Sequence, residues 1–379
     1  MPSAHERTPS APQLIAFYLP QFHPIPENDL WWGKGFTEWT NVARARPSFP
    51  EHVQPRLPSD LGFYDLRVPD TRAAQAAMAR AHGITAFCYY HYWFSGRRLL
   101  ERPFNEVLTS GEPDFPFLLC WANENWTRRW DGHDREVLIA QSHSLEDDRN
   151  HLRALAPAFA DPRYVRLGGH PVFLVYRTEL LPNPTQTADV WREEAHRLGI
   201  GEICLGRIES FISGIPPQTI GFDFAVEFAP RWVAVPDRIF GGGLRGVLRK
   251  TRLLQDGYVR NAVRSYGEMM TSMLAWPEPD YPLFRGACPS WDNTPRRRSN
   301  ATIFHGADPA LLQTWVETLL SRRRDFRGAP APIFLNAWNE WAEGAQLEPC
   351  SIFGRGFLEA VRTASAGVNQ MAGSPAVVT

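Results

Sequence analysis

Residues 332–344 read PIFLNAWNEWAEG, and this stretch decides the fold. It starts as a continuous apolar run and turns polar and aromatic within a few residues. A run without polar alternation is typical of a strand buried on both faces, as in a parallel sheet covered by helices. Its polar end is then the carboxyl end of the strand, which is where barrel enzymes carry their active sites. The stretch therefore predicts both a buried strand and a site.

The same pattern recurs seven more times along the chain. The eight predicted strands are Leu14–Pro20, Ile84–Trp93, Pro116–Asn125, Pro171–Arg177, Glu202–Ile208, Asp223–Pro230, Arg285–Asn293 and Pro332–Trp341. The helices predicted between and after them are Asp70–His82, Leu145–Ala160, Thr187–Leu198, Asp308–Arg324 and Ile352–Ala364. Eight strand–helix units favour a (β/α)8 TIM barrel with long βα loops, a single α/β domain. An open doubly wound sheet is the alternative, but no strand is followed by a GxGxxG fingerprint.

Two insertions break the alternation of strands and helices. Residues 21–69 are rich in tryptophan and proline, and residues 231–284 contain a basic stretch, 244–265, that we expect to be helical. Long ordered loops in compact domains usually carry function. We divide the chain into a flexible N-terminus (1–13), the catalytic barrel (14–366) and a disordered tail (367–379).

Composition narrows the class of protein. The 379 residues carry 40 basic and 41 acidic side chains, a formal net charge of −1, which excludes bulk electrostatic capture of nucleic acid. The 14 tryptophans favour a surface that binds flat or sugar-like ligands. Four of the five cysteines, at positions 88, 120, 204 and 288, fall inside apolar runs, and no CxxC pair occurs, which favours free buried thiols at these four positions. We find no signal-peptide pattern and no apolar segment of about 18 residues, so we expect no transmembrane segment and a cytoplasmic location.

Glu340 and Glu343 are the candidate catalytic residues. They are three positions apart and flanked by tryptophans at the end of the last strand. Glycoside chemistry commonly needs two carboxyl groups, one as acid and one as base or nucleophile. Two close carboxylates push their pKa values apart, which allows this division of roles. The alternative is an ordinary pair on a solvated helix face.

The ends of the other runs supply candidate substrate-binding residues, because aromatic faces stack on sugar rings while amides and charged groups bind hydroxyls. These candidates are His23, Trp39, Tyr90, His91, Trp121, Asn123, Glu124, Trp126, Arg207, Glu227, Trp291, Asn336, Trp338, Asn339 and Trp341. Glu124 could instead be a structural partner of Arg128 or Arg129, and Tyr90 and His91 could be buried polar groups of an aromatic barrel. No HExxH-like spacing occurs, so we expect no essential metal and no cofactor.

Four motifs together resemble a known family. They are YLPQFH at 18–23, WGKGFTEWTNV at 32–42, WANENW at 121–126 and WNEWAEG at 338–344. They are similar to those of the WbsX-type proteins of bacterial polysaccharide clusters, a branch similar to glycoside hydrolase family 99, and the resemblance runs from about residue 14 to residue 349. It implies a (β/α)8 barrel acting on α-mannoside-like linkages.

The resemblance also implies roles for individual residues. Glu340 would be the base that activates the sugar's own 2-hydroxyl, forming a 1,2-anhydro sugar with net retention. Glu343 would be the general acid and then the base for water, and Tyr18 would contact the sugar.

These observations predict a retaining glycoside hydrolase or transglycosidase acting on α-linked manno- or rhamno-configured bacterial polysaccharide of the O-antigen kind. A glycosyltransferase of polysaccharide biosynthesis is the first alternative, with the basic stretch 244–265 near a lipid-linked glycan. A non-catalytic carbohydrate-binding barrel is the second. An oligo- or polysaccharide is the expected partner under each reading.

Overall fold

The structure, a computed structural model, describes residues 13–128, 133–239, 256–297 and 299–373, together with Val247. A ring of parallel strands forms its centre. The strands are β1 (Leu14–Tyr18), β2 (Ala86–Phe94), β3 (Phe117–Trp121), β4 (His170–Val175), β5 (Cys204–Glu209), β6 (Phe224–Glu227), β7 (Leu283–Phe284 and Gly286–Ala287) and β8 (Ile333–Leu335). Each strand pairs with the next in parallel, and β8 pairs with β1, so the predicted (β/α)8 barrel is confirmed.

Strand β7 is interrupted at Arg285. Its first half pairs with β6 and its second half with β8, so the two halves together fill one place in the ring. A side chain at Gly286 would come within 2.2 Å of the Glu227 carbonyl oxygen, so only glycine allows the strands to approach this closely. The predicted run Arg285–Asn293 is therefore wrong in its second part, because Trp291–Asp292 belongs to a separate sheet with Ala262–Ser265 and Thr302–His305.

Helices surround the ring. They are α1 (Pro26–Trp32), α2 (Trp39–Arg44), α3 (Pro69–Ala81), α4 (Arg102–Ser110), α5 (Leu145–Ala160), α6 (Pro184–Arg197), α7 (Asp256–Arg260), α8 (Tyr266–Leu274), α9 (Pro309–Ser321) and α10 (Gly356–Gly373). The sequence signals at their ends have a structural basis: the Asp308 side chain accepts a hydrogen bond from the Ala310 amide, and Pro309 occupies the first helical position.

Three predictions about the ends and insertions need comment. The helix α10 continues through Gly373, so the predicted disorder from residue 367 is wrong as far as residue 373; residues 374–379, like residues 1–12, lie outside the described part. The basic stretch 244–265 is not one helix, because Ala262–Ser265 is a strand that follows α7. Its residues Arg245, Arg249, Lys250 and Arg252 lie outside the described residues.

The core has two layers, one inside the ring and one between the ring and the helices. Strand β3 shows why: all five of its side chains, FLLCW, are buried, since alternate residues point inward and outward and both directions are covered. The sequence insertion 21–69 packs α1 and α2 over the carboxyl ends of the strands. All five cysteines are free and buried, which confirms the prediction for Cys88, Cys120, Cys204 and Cys288 and extends it to Cys350.

Candidate active site

A cavity opens at the carboxyl ends of the barrel strands. Its empty volume is about 1090 Å³, the open solvent at its mouth included, which is the scale of small-molecule sites. Residues that end or directly follow β1, β2, β3, β4, β6 and β8 line it, and α1 of the first insertion closes one side. The cavity is therefore where barrel geometry places an active site.

Glu340 and Glu343 lie on one short turn and both line this cavity. The turn is a single 3-10 helix, Trp341–Glu343, that follows β8 and begins at Glu340. Gly344 ends it with a φ of +61°, and a side chain at that position would come within 3.1 Å of Asp292. The i, i+3 spacing that was visible in the sequence thus brings both carboxyl groups into the same pocket.

One guanidinium group joins the two glutamates. Arg296 Nη2 lies 2.9 Å from Glu340 Oε1, and Arg296 Nη1 lies 2.7 Å from Glu343 Oε1. The same guanidinium donates to both oxygens of Glu38, each at 2.9 Å. Glu38 is only 1% exposed. Three carboxyl groups from two segments of the chain therefore share one cation.

The charges and the burial of this cluster shift its pKa values. Burial raises the pKa of Glu340 well above its ordinary value; Arg296 opposes this shift, while Glu343 and Glu38 add to it. Burial lowers the pKa of Arg296, but the three carboxylates outweigh it and hold that pKa well above its usual range, so Arg296 stays charged. A carboxyl group whose pKa is raised toward neutrality can exchange protons with a substrate.

Aromatic rings form much of the remaining wall. Tyr90 and Tyr92 come from β2, Tyr176 follows β4, and Trp126 follows β3. Trp126 packs edge-on against Tyr92 at 5.4 Å and against Trp31 of α1 at 5.7 Å. Flat faces beside carboxylates suit the C–H faces and hydroxyls of a sugar.

Glu124 adds a further carboxylate to the wall, and it forms an ion pair with Arg177 at 2.8 Å. Arg177 comes from the segment after β4. The predicted structural alternative named Arg128 or Arg129 as the partner; Arg129 and the side chain of Arg128 lie outside the described residues, so this alternative stays a prediction. Asn336 also lines the cavity and donates to the Ala229 carbonyl. The cavity brings together six of the predicted site residues: Tyr90, Glu124, Trp126, Asn336, Glu340 and Glu343.

The other predicted site residues do not line the cavity. Four tryptophans, each less than 10% exposed, are packed into the core instead: Trp39, Trp121, Trp338 and Trp341. Trp291 is buried edge-on against Trp232, in the separate sheet. Tyr18 is also buried, and its hydroxyl donates to Gln75. Burial of large rings explains these positions, since indole contributes more apolar area to a core than any other side chain.

Two asparagines that were predicted to bind sugar form hydrogen bonds with the backbone instead. The Asn339 side chain accepts from the Leu19 amide and donates to the Leu19 carbonyl. The Asn123 side chain makes the same pair of bonds with the backbone of Arg177. Each asparagine therefore provides hydrogen-bond partners for the backbone N–H and C=O of a residue just beyond the end of a barrel strand, where the neighbouring strand no longer provides them.

The predicted histidines and charged residues also lie outside the cavity. His91 faces His151 of α5 at 3.0 Å, and burial lowers its pKa to about 3. His23 is buried, and burial lowers its pKa to about 4. Arg207 donates to the carbonyls of Ile212 and Ile215 and so fixes the loop after β5. Glu227 is buried between two arginines, Arg231 and Arg285.

Several cavity residues were missed in the sequence. They are Gln21, Trp31, Trp32, Tyr92, Tyr176, Phe228 and Arg296, with Glu38 behind Arg296. Glu38 and Trp32 stand in the WGKGFTEWTNV motif, which was a usable signal. Arg296 stands in a run of three arginines that reads as a solvated surface, so the sequence gives no signal for it.

Within the described residues, no three His, Cys, Asp or Glu side chains are grouped so as to hold a metal ion. Among the same residues, no helix combines the length and the apolar character needed to cross a membrane.

Fold and site together define a (β/α)8 barrel with a carboxylate-lined, aromatic cavity at its carboxyl face. The family model described as "Glycosyltransferase WbsX" matches residues 14–361. The protein described as "Uncharacterized protein WxcX" from Xanthomonas campestris pv. campestris is 47% identical over 352 residues, which are 93% of this chain and 49% of that protein. The chain belongs to the WbsX family, and it spans about half the length of the curated relatives it matches.

Solved structures share the fold. The GH99 endo-alpha-mannosidase from Bacteroides thetaiotaomicron has a TM-score of 0.57 at 14% identity, with 96% of this chain and 99% of that chain covered. A protein described as "Glycoside hydrolase-like protein" has a TM-score of 0.56 at 15% identity, with 96% of each chain covered. The resemblance to a branch similar to glycoside hydrolase family 99 is confirmed at the level of the fold.

Proposed function

We propose that this chain is a carbohydrate-active enzyme, a retaining glycoside hydrolase or transglycosidase. Its substrate is an α-linked manno- or rhamno-configured bacterial polysaccharide of the O-antigen kind. The observation that carries the proposal is that Glu340 and Glu343 face one aromatic cavity and contact the same guanidinium, that of Arg296. Two carboxyl groups held together beside stacking rings are what glycosidic bond cleavage requires.

The proposed reaction has two steps. Glu340 takes the proton of the sugar's 2-hydroxyl, the O2 atom attacks C1, and Glu343 gives its proton to the departing oxygen. Water then attacks C1 of the 1,2-anhydro sugar, Glu343 takes the proton of that water, and Glu340 returns its proton to O2. Two displacements at C1 leave its configuration retained.

The environment of each glutamate supports its role. Glu340 is the more buried, and its raised pKa makes the ionised form a stronger base, while Arg296 favours that ionised form. The Glu343 side chain is 21% exposed, so it can reach both the leaving group and an incoming water. Arg296 contacts both groups and would stabilise whichever one carries the charge.

The experiment is product analysis by mass spectrometry and proton NMR. Purified protein is incubated with α-mannan, rhamnan and O-antigen polysaccharides, without any nucleotide sugar. We expect shorter oligosaccharides from one of them, lost in Glu340→Gln and in Glu343→Gln but kept in the control Glu317→Gln, an exposed helix residue. A 2-O-methyl substrate should be inert, because it lacks the participating hydroxyl. Full turnover in either cavity variant would overturn the proposed roles.

A second candidate is a glycosyltransferase of polysaccharide biosynthesis, because the matching family model carries that description. It requires a donor, so calorimetry should detect binding of a nucleotide sugar or of a lipid-linked diphosphate sugar. No heat with any donor, together with release of oligosaccharides from a polymer, would decide for the hydrolase. Peripheral contact with a lipid-linked glycan belongs to this second proposal.

A further inference from the structure

A further carboxyl group, that of Glu348, lies directly behind the turn that carries Glu340 and Glu343. Glu348 comes five residues after Glu343, is 3% exposed and does not line the cavity. The chain folds back here: the Glu348 amide donates to the Trp338 carbonyl, and the Ala345 amide donates to the Glu340 carbonyl. Glu348 therefore sits against the turn without any access to a substrate.

In the part of the chain that the structure describes, this carboxyl group accepts hydrogen bonds from neutral donors only. Its Oε2 atom accepts from the Trp341 indole at 2.6 Å and from the Tyr64 hydroxyl at 2.7 Å. Its Oε1 atom accepts from the Gln75 amide at 2.7 Å. The Gln75 amide can only present its nitrogen, since its oxygen is taken by the Tyr18 hydroxyl at 2.7 Å.

Three parts of the fold converge on Glu348 through these donors. Tyr64 belongs to the first insertion, Gln75 to α3, and Trp341 to the turn itself. An indole N–H and an amide NH₂ can only donate, so the site requires an acceptor with free lone pairs. Burial raises the pKa of Glu348 to about 7, while the bonds from its donors work in the opposite direction.

Trp341 connects Glu348 to the turn that lines the cavity, because its indole donates a hydrogen bond to Glu348. It lies between Glu340 and Glu343 in the three-residue turn, which is too short to hold its own geometry. Its ring is buried against Trp39 at 5.5 Å, and the bond to Glu348 fixes its rotation. A different orientation of this indole would change the packing beneath the turn that carries both glutamates.

We propose that Glu348 is a positioning residue of the Glu340–Glu343 turn, acting through its hydrogen bond to the Trp341 indole. The proposal rests on the proposed function where it concerns catalysis, and on geometry alone where it concerns the turn. Replacement by glutamine keeps the size of the side chain but points an NH₂ group at donors. The turn then loses its anchor while every cavity side chain remains.

The first test does not depend on activity. The indole N–H resonance of Trp341 is assigned by its disappearance in Trp341→Phe and is followed by NMR between pH 5.5 and 8.5. We expect it far downfield and titrating once, near neutrality, because Tyr18 and Tyr64, the other titratable groups at this site, have pKa values raised above 10. In Glu348→Gln the resonance should move upfield and cease to titrate. An unchanged resonance would overturn the proposal.

The second test uses the polysaccharide identified as substrate. Glu348→Gln should lower kcat by at least tenfold and leave KM nearly unchanged, and Glu348→Asp should recover part of that loss. Trp341→Phe, which removes the N–H together with part of the ring, should lower kcat in the same direction even if Glu348→Gln does not fold. The control is Glu202→Gln, whose carboxylate pairs with Arg192 away from the cavity. Wild-type kcat in both Glu348→Gln and Trp341→Phe would overturn the proposal, whereas an inactive wild-type protein with the expected resonance would count only against the proposed function.

Discussion

Arg296 donates to both carboxylate oxygens of Glu38 at 2.9 Å, although 258 residues separate the two side chains in the chain. The pair joins the first insertion to the loop between the strands Trp291–Asp292 and Thr302–His305. Arg296 also contacts Glu340 and Glu343. The negative charge of Glu38 therefore offsets part of the positive charge that Arg296 presents to these two glutamates. The electrostatics of the cavity are thus set from outside the barrel strands.

Removing the cation should destabilise the fold. In Arg296→Met, Glu38 is left buried with no cation beside it, and breaking a buried ion pair in this way costs roughly 3–5 kcal/mol. We expect the free energy of unfolding, measured in urea, to fall by that order. The double variant Arg296→Met/Glu38→Gln should recover part of the loss. Equal stability of the single and double variants would mean that Glu38 does not depend on Arg296.

Removing the carboxylate of Glu38 should shift the pH profile of kcat/KM. The negative charge of Glu38 raises the pKa of Glu340, so Glu38→Gln should lower that pKa. If Glu340 acts as an ionised base, the acidic limb of kcat/KM then moves to lower pH. Glu27→Gln, in the same insertion and paired with Arg97, is the matched control and should leave the limb in place. A shift to higher pH in Glu38→Gln would contradict the assigned role of Glu340.

The asparagine that holds the end of β1 can be tested through stability. Asn339→Ala leaves the amide and the carbonyl of Leu19 without partners in a buried place, and each unsatisfied group costs about 1–3 kcal/mol. We expect a loss of unfolding free energy of at least about 2 kcal/mol by chemical denaturation. Asn339→Asp keeps an acceptor for the Leu19 amide but turns a second oxygen toward the Leu19 carbonyl, so it should not restore the wild-type stability. A neutral Asn339→Ala would show that water replaces the side chain.

The raised pKa of Glu348 predicts a pH dependence of stability. Its folded value of about 7 lies above its ordinary 4.5, so between these values the folded protein holds a proton that the unfolded chain has released. This group therefore stabilises the fold fully below pH 4.5, and its contribution is lost as pH rises toward 7. Comparing urea unfolding of wild type and Glu348→Gln at pH 5 and pH 8 should show a smaller decline in the variant. Parallel curves would contradict a raised pKa.

The barrel could be predicted because its strands are continuous apolar runs, and the helix start at Asp308 because its cap is local. The catalytic candidates Glu340 and Glu343 were visible because they are adjacent in sequence. The direction in which each side chain points was harder to predict. Tyr90 lines the cavity, whereas the next residue, His91, points at α5. Side chains alternate across a strand, so a polar run at its end belongs half to the site and half to the helix layer.

What could not be predicted depends on contacts between distant segments. Arg296 and Glu38 meet only after the chain has folded. Arg296 carries no local pattern that distinguishes it from a solvated charge, and the WGKGFTEWTNV motif marks Glu38 without indicating its partner. The tryptophans misled for a related reason. Their number suggested sugar binding, but Trp121 and Trp338 fill the core, while Trp31 and Trp126 reach the cavity.

The pairing of β1 with β8 has a consequence for how the protein is made. Contacts such as that between Leu19 and Asn339 span 320 residues, so they require that whole segment to have left the ribosome. Closing so long a segment is entropically costly and comes late in folding. Before β8 pairs with β1, Glu340 and Glu343 are not yet placed in the cavity, and Arg296 does not yet contact them. A chain that ends before residue 333 lacks β8 and cannot close the ring, and one that ends before residue 343 also lacks Glu343.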